Sequence, residues 1–377
     1  MTDLVVISLE AWDGVWRRNQ HLISRLLTGD PELRVLFIEP SADPLHELRS
    51  GRRAALGRSV RERGDVQPRL WTLRPLKLLP RKIDRGADRR FARAVQRAAS
   101  SLGMTDPVLW VNDPGAAEVS RVTGWPTLYD ITDDWAVADR PDRIRRRVVG
   151  GEQYLLHHAT QVVACSAELV RRKTPDRPAE LAPIVLVPNG VDVELYRRPA
   201  ARPADLPAGK VAVYVGTLHG DRLDVELCVR TARALAGDAT IVLVGPDALG
   251  ESDTRRLREA GAVLLGAKPH EQVPAYLQHA DVLLVPHLVS DFTESLDPIK
   301  LYEYQAVGRP VVSSPVAGFR DAAGEGIVIV GAAKFAHAVS TSLHSPVPCR
   351  SRGPEAVADW STRAGAIGGV LKRIGHE

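Results

Sequence analysis

Short apolar runs rich in Val, Ile and Leu recur along this chain, separated by stretches of helical periodicity. Leu4–Ser8, Arg34–Ile38, Val108–Asn112, Thr127–Ile131 and Gln161–Ala164 form a first series. Val211–Val215, Thr240–Val244, Ala262–Leu265, Val282–Val285, Pro310–Ser313 and Ile327–Val330 form a second. The runs are continuous rather than alternating, which suits parallel strands covered by helices on both faces. Asn19–Leu27, Phe91–Leu102 and Asp224–Leu235 are amphipathic stretches between them. This β-α-β-α alternation predicts an α/β fold with parallel sheets.

A length of 377 residues is more than one such sheet needs and points to two domains. The proline-rich stretch YRRPAARPADLPAGK, residues 196–210, is followed at once by a fresh strand and marks the expected linker. One Rossmann-like domain is therefore expected over 1–195 and a second over 211–353, with a cleft between them. The tail 354–377, with Trp360, Ile367, Val370 and Leu371 at helical spacing, reads as a closing helix.

Composition excludes a disordered or fibrous chain, since 44% of residues are hydrophobic and 25% charged. The formal charge is only +4, yet Arg49–Arg97 holds 16 Lys/Arg against 4 Asp/Glu. That segment lacks aromatics interleaved with its basic residues, having only Trp71 and Phe91, so nucleic acid is not an expected partner. Arg81, Arg85, Arg89, Arg93 and Arg97 recur every four residues, one helical face. An anionic acceptor or an acidic membrane surface is the partner such a face suits. Cys165, Cys228 and Cys349 are widely scattered and odd in number, as reduced thiols are. The start carries no basic region or long apolar core of a signal peptide, and no run reaches membrane-spanning length. The expected location is cytoplasmic, with peripheral association at the inner membrane face.

Ligands of open parallel sheets bind beyond the carboxyl ends of the strands. Polar clusters fall at several such places. Glu10–His21 follows the first strand and contains Gly14 before a helix start, where backbone and helix terminus favour an anion. Asp130, Asp133 and Asp134 follow Thr127–Ile131; without His or Glu companions they suit acceptor hydroxyls, a base or a helix cap better than a metal. Pro188-Asn-Gly reads as a tight turn. Gly216 and Gly220 follow the Val211 strand with Arg222 just beyond, in reach of a phosphate. In Phe292–Val312, Pro298 at the first helical position opens a short helix that ends near Gly308. There Lys300 and Glu303 share a helical face: with the helix N-terminus, Lys300 suits a diphosphate and Glu303 paired ribose hydroxyls. On spacing alone such an i,i+3 pair is usually just a surface ion pair, so spacing does not make it a site. No GxGxxG follows the first strand, which disfavours a dinucleotide dehydrogenase.

These residues together resemble a family. DPIKLYEYQAVGRPVV, preceded by DVLLVPHLVSDFTES, is similar to the donor-site signature of GT-B glycosyltransferases of the retaining family-4 type. PNGVDVELY resembles their interdomain motif, and YVGTLHGDRLDVEL with IVLVGP the start of their nucleotide-sugar domain. SLEAWDGVWRRNQHLISRLL and LYDITDDW resemble a bacterial subgroup related to teichuronic-acid and cell-surface polysaccharide transferases.

The resemblance implies a nucleotide-diphosphate sugar as donor substrate, no other cofactor, no metal, and a glycan, lipid-linked intermediate or small metabolite as acceptor. Glu303 matches the second Glu of the family's Glu-x7-Glu motif, which binds the ribose. The first falls on Ser295, with Glu294 one residue out of register. Arg222 occupies the place of a diphosphate-binding Lys, and Thr217 stands where an Arg usually precedes it. Tyr129 and Asp130 lie where the family has an acceptor-side His.

Arg222, Lys300 and Asp133 are thus the catalytic candidates. Gly216, Thr217, Glu294, Ser295, Leu296, Asp297, Pro298, Ile299, Lys300 and Glu303 are the donor-binding ones. Asp13, Gly14, Trp16, Arg17, Gln20, Asp130 and Asp134 are expected on the acceptor side. The alternatives are a GT-B-fold nucleotide-sugar epimerase or hydrolase, and a catalytically inactive partner protein.

Overall fold

A computed structural model describes residues 3–44, 58–64, 68–77, 84, 86–138, 140–324, 326–345 and 359–375. The chain divides into two compact units. One runs to Asp13, from Arg17 to Pro188 and from Ser361 onward; the other holds Gly14–Trp16 and Asn189–Trp360.

The first unit is built on eight strands: β1 (Asp3–Ile7), β2 (Arg34–Ile38), β3 (Arg58–Glu62), β4 (Leu70–Arg74), β5 (Val108–Val111), β6 (Thr127–Ile131), β7 (Gln161–Ala164) and β8 (Val185–Leu186). Their order is β3-β4-β2-β1-β5-β6-β7-β8, parallel except for β3 against β4. Every residue of β5, β6 and β7 is buried, which is what their continuous apolar runs demand of a sheet covered on both faces. Helices α1 (Arg18–Gly29), α2 (Ala87–Ser101), α3 (Glu118–Thr123), α4 (Asp142–His158) and α5 (Ala167–Lys173) connect the strands.

The second unit carries six strands, β9 (Lys210–Val215), β10 (Ala239–Val244), β11 (Val263–Gly266), β12 (Val282–Val285), β13 (Val311–Ser313) and β14 (Ile327–Ile329). They are all parallel, in the order β11-β10-β9-β12-β13-β14. This is the doubly wound order, with its reversal between β9 and β12. Along β9, Val211, Val213 and Val215 enter one core while Ala212 and Tyr214 enter the other, the period-two alternation of a strand buried on both sides. Its helices are α6 (Val193–Arg197), α7 (Val225–Ala234), α8 (Glu251–Glu259), α9 (Val273–Gln278), α10 (Ile299–Val307) and α11 (Ala332–His344). The last helix, α12, is Trp360–Ile374.

The units part at Pro188/Asn189, not within 196–210. Tyr196 is buried in the core of the second unit, and Gln278 pins the next residues by donating to the Tyr196 and Arg198 carbonyls and accepting from Ala200. The proline-rich stretch is therefore bound chain rather than a free hinge. Sequence reading gave no strand to the basic segment, yet β3 and β4 lie in it and lengthen one edge of the first sheet. No helix among the described residues is long and apolar enough to cross a membrane. Cys165 and Cys228 are free and buried; Cys349 lies outside the described residues.

Candidate functional site

In the second unit the carboxyl ends of β9 and β12 bring the donor-side residues together. Gly216 ends β9 with φ +148°, and a Cβ there would lie 2.9 Å from Lys300 Nζ. Gly245, also at φ +148°, leads out of β10; a Cβ on it would meet the Gly216 carbonyl oxygen at 2.1 Å. Only glycine lets these two turns and the lysine head occupy the same small space. Thr217, half-buried, continues the turn.

Lys300 sits in the first turn of α10, whose N-cap is Pro298 and whose C-cap is Gly308 at φ +75°. Pro298 therefore stands one position earlier than expected, and Ile299 is the first helical residue. The Lys300 ammonium donates to Tyr214 Oη at 3.0 Å and approaches His287 Nε2 at 3.3 Å. It also lies 4.3 Å from the Tyr214 ring centroid. Tyr214 and His287 are themselves 3.2 Å apart. Burial and the nearby positive charge of Arg222 push the Lys300 amine down to about 7, against the pull of Glu303. Burial, then Lys300 and Arg222, hold His287 well below the ordinary imidazole range, so its ring is neutral.

The Lys300–Glu303 pair is no surface ion pair. No salt bridge joins them among the described residues. Glu303 Oε1 instead accepts from the Tyr196 hydroxyl. Burial raises the Glu303 carboxyl, with the Tyr196 hydrogen bond and Lys300 opposing. Arg222 lies over the Phe292 ring at 5.1 Å, and its carbonyl accepts from Leu288, which ties the loop after β9 to the loop after β12.

Other donor-side candidates are occupied in holding the loop. Glu294 makes a two-pronged pair with Arg320 at 2.6 and 3.1 Å. Ser295 is wholly buried and donates to the Phe292 carbonyl, so as a sugar contact it is displaced by its own loop. Leu296 follows as the extended cap residue of that turn. Asp297 accepts from the Asn189 amide at 2.5 Å and from the Tyr302 hydroxyl at 2.7 Å, while Asn189 Nδ2 donates to the Asp297 carbonyl. The Asn-Gly turn thus anchors the entry to α10. Tyr214, His287 and Tyr196 were not singled out from sequence; the positions of Tyr214 and His287 at the ends of β9 and β12 were the available signal, and Tyr196 on α6 offered none.

In the first unit several acceptor-side candidates are engaged inside the fold. Asp130 is fully buried and receives Arg18 through Nε and Nη2, both at 3.1 Å, together with Trp110 Nε1 and Asn112 Nδ2. Asp134, equally buried, accepts from Lys173 at 2.7 Å and Arg172 at 3.1 Å; Lys173 also reaches Glu152, which takes the Tyr129 hydroxyl. Both aspartates are internal counter-charges, because a carboxylate desolvated inside a sheet must be paired. Gln20 is buried and caps α1 by accepting from the Arg17 amide, and Arg17 pairs with Glu10 at 2.9 Å and Asp13 at 3.5 Å. Gly14 and Trp16 group with the second unit, where the Trp16 ring stacks on His270. Asp133, half-buried beyond the end of β6, has Thr132 Oγ1 at 3.5 Å.

A cavity of about 280 Å³ opens instead at the carboxyl ends of β1, β2 and β5, lined by Ser8, Glu39, Asp43, Lys77, Asp113 and Arg147 among others. None of the acceptor-side candidates lines it. The signal for it was positional: it sits where the strand order of the first sheet reverses, next to β1.

Two Rossmann-like units, each on a mainly parallel sheet, define the GT-B fold class. The chain has that fold: the crystal structure of HepE from Anabaena in complex with UDP and glucose matches it with a TM-score of 0.68 over 99% of this chain and 100% of that one, at 16% identity. Residues 209–345, which lie in the second unit, match the family described as Glycosyl transferases group 1. A Bacillus subtilis (strain 168) protein named as the teichuronic acid biosynthesis glycosyltransferase TuaH is 26% identical over 218 residues, 55% of each chain. The D-inositol 3-phosphate glycosyltransferase of Geodermatophilus obscurus is 31% identical over 217 residues, 51% of this chain and 46% of its own. The chain spans about half the length of the curated relatives it matches.

Proposed function

We propose that this chain is a glycosyltransferase that moves a sugar from a nucleoside-diphosphate sugar to a glycan, a lipid-linked intermediate or a small metabolite. The observation that carries this reading is the Lys300 amine held against the Gly216 turn at the switch point of the second sheet, with Arg222 close enough to depress its affinity for a proton. Leaving of a nucleoside diphosphate develops negative charge on its terminal phosphate. Lys300, Arg222 and the start of α10 stabilise that charge without a metal in this proposal. Glu303 accepts from the ribose hydroxyls in this reading, while the carboxylates beside the β1 cavity are Glu39, Asp43, Asp88, Asp113 and Glu118, and Asp133 is not among them. Retention of configuration follows the family the sequence resembles. The cavity beside β1 is the acceptor pocket in this reading.

A thermal-shift panel of UDP-, GDP-, ADP- and TDP-sugars tests it. One donor is expected to raise the unfolding temperature, and that donor is expected to lose its sugar to an added acceptor. Donor turnover without any acceptor would favour an epimerase or hydrolase, and no shift with any donor an inactive partner protein.

The proposed working place is the cytoplasmic face of a membrane. On α2, Ala92, Val95, Ala98 and Ala99 are buried while Arg89, Arg90, Arg93 and Arg97 are exposed. Arg81 and Arg85 lie outside the described residues. Arg93→Gln/Arg97→Gln is expected to weaken binding to vesicles rich in phosphatidylglycerol by roughly 2 kcal/mol, at about 1 kcal/mol per arginine removed. Cosedimentation that is equal for wild type and variant, or equal on neutral phosphatidylcholine, would remove the membrane from the proposal.

A further inference from the structure

We propose that Tyr214 and His287 are positioning residues that aim the Lys300 amine at the diphosphate of the donor. The inference rests on the donor reading above and adds to it how that lysine is held. An ammonium has three N–H donors. One goes to Tyr214 Oη at 3.0 Å, and a second faces His287 Nε2 at 3.3 Å. The third has no acceptor among the described residues.

The three groups form a closed triangle with Tyr214 and His287 3.2 Å apart, so the Tyr214 hydroxyl and a Lys300 N–H share the single acceptor position of His287 Nε2. Neutral His287 is what makes this arrangement work: only an unprotonated Nε2 accepts. Tyr214 is 1% and His287 5% exposed, which denies the lysine other conformations on that side. The space opposite is closed to any side chain at 216, since a Cβ there would stand 2.9 Å from Nζ. The amine is desolvated and set beside Arg222, an arrangement that opposes its charge. A cluster that holds a lysine in its less comfortable charge state is suited to a ligand that restores the charge.

The groups facing Lys300 are Tyr214 from β9, His287 beyond β12, Arg222 from the loop after β9, and Glu303 one turn on. With its amine down near 7, Lys300 is largely neutral above that pH in the empty protein. An anion binds the protonated form more tightly, so binding draws in a proton. The affinity is therefore full below 7 and falls as pH rises above it, by up to tenfold per unit.

Titration calorimetry tests this with the nucleoside diphosphate that the donor panel selects among UDP, GDP, ADP and TDP, and with the matching nucleoside as control. Between pH 7 and 9 the diphosphate itself keeps a constant charge, its last ionisation lying near 6. Wild type is expected to lose affinity across this range for the diphosphate and not for the nucleoside, and to take up a fraction of a proton when buffers of different ionisation enthalpy are compared. Tyr214→Phe and His287→Leu are each expected to bind the diphosphate about tenfold more weakly at pH 7.5, with the fall moved to lower pH, because the ammonium has lost an acceptor. His287→Gln, which keeps an acceptor, is expected to restore most of the affinity. A flat wild-type profile without proton uptake overturns the proposal even if neither substituted protein folds. So does an unchanged profile in both folded variants. If no nucleotide binds at all, the donor reading fails instead.

Discussion

Lys300→Met is expected to lower kcat/KM for sugar transfer by roughly 10²–10³-fold while the unfolding temperature of the protein stays put or rises. The cost follows from removing one charged donor aimed at a developing anion, an effect of about 3–4 kcal/mol in a water-poor site. Methionine keeps a flexible unbranched stem of similar reach, so packing against the Tyr214 ring survives. Stability is not expected to fall, because the amine is partly desolvated beside Arg222 and no ion pair among the described residues holds it, so its removal takes away an opposed charge. Lys300→Arg is not expected to rescue: the planar fork is wider than an ammonium, and the Gly216 turn already stands within contact distance. Glu303→Gln in the same assay is expected to weaken nucleotide binding while leaving the diphosphate contact intact. Measured with the donor that the panel selects, a kcat/KM for Lys300→Met within threefold of wild type would remove this cluster from the chemistry.

Much of this site was legible from residue order alone, because strand ends in a doubly wound sheet are places where the chain must turn. Gly216 after β9 and the start of α10 before β13 followed from apolar runs and from Pro298 and Gly308. The geometry that makes Lys300 distinctive was not legible. It depends on Tyr214 and His287, which lie 86 and 13 residues from it in sequence and which a linear reading cannot tell from ordinary core aromatics and loop histidines. The same blindness acts in the opposite direction at Asp130 and Asp134. Three carboxylates in five residues suggest an acceptor site, yet two of them find buried cations on α1 and α5. Nothing local to LYDITDDW says so. Strand β3 escaped detection because Arg58 and Arg61 interrupt it, and an edge strand need not be continuously apolar; β4, between β3 and β2, offers only the short run Leu70–Leu73 inside the basic segment.

Asp130→Ala is expected to destabilise the first unit by about 3–5 kcal/mol, the range for breaking a buried ion pair from one side. The reason lies in what would remain. Arg18 is 5% exposed, so without the carboxylate its guanidinium stays charged and loses both 3.1 Å contacts with no water to replace them. Trp110 Nε1 loses its acceptor, and Asn112 keeps only the Asp130 backbone oxygen and its bond from Asn19. These partners come from α1 and from β5 and its end, so one side chain of β6 ties it to both at the carboxyl end of the sheet. Arg18→Met/Asp130→Leu removes both charges at once and is expected to recover more than half of the loss, since an apolar pair of similar volume is often neutral in such places. Urea denaturation of the three variants checks this. A single substitution that shifts the midpoint no more than a surface change, below about 0.5 kcal/mol, would return Asp130 to the list of residues available to an acceptor.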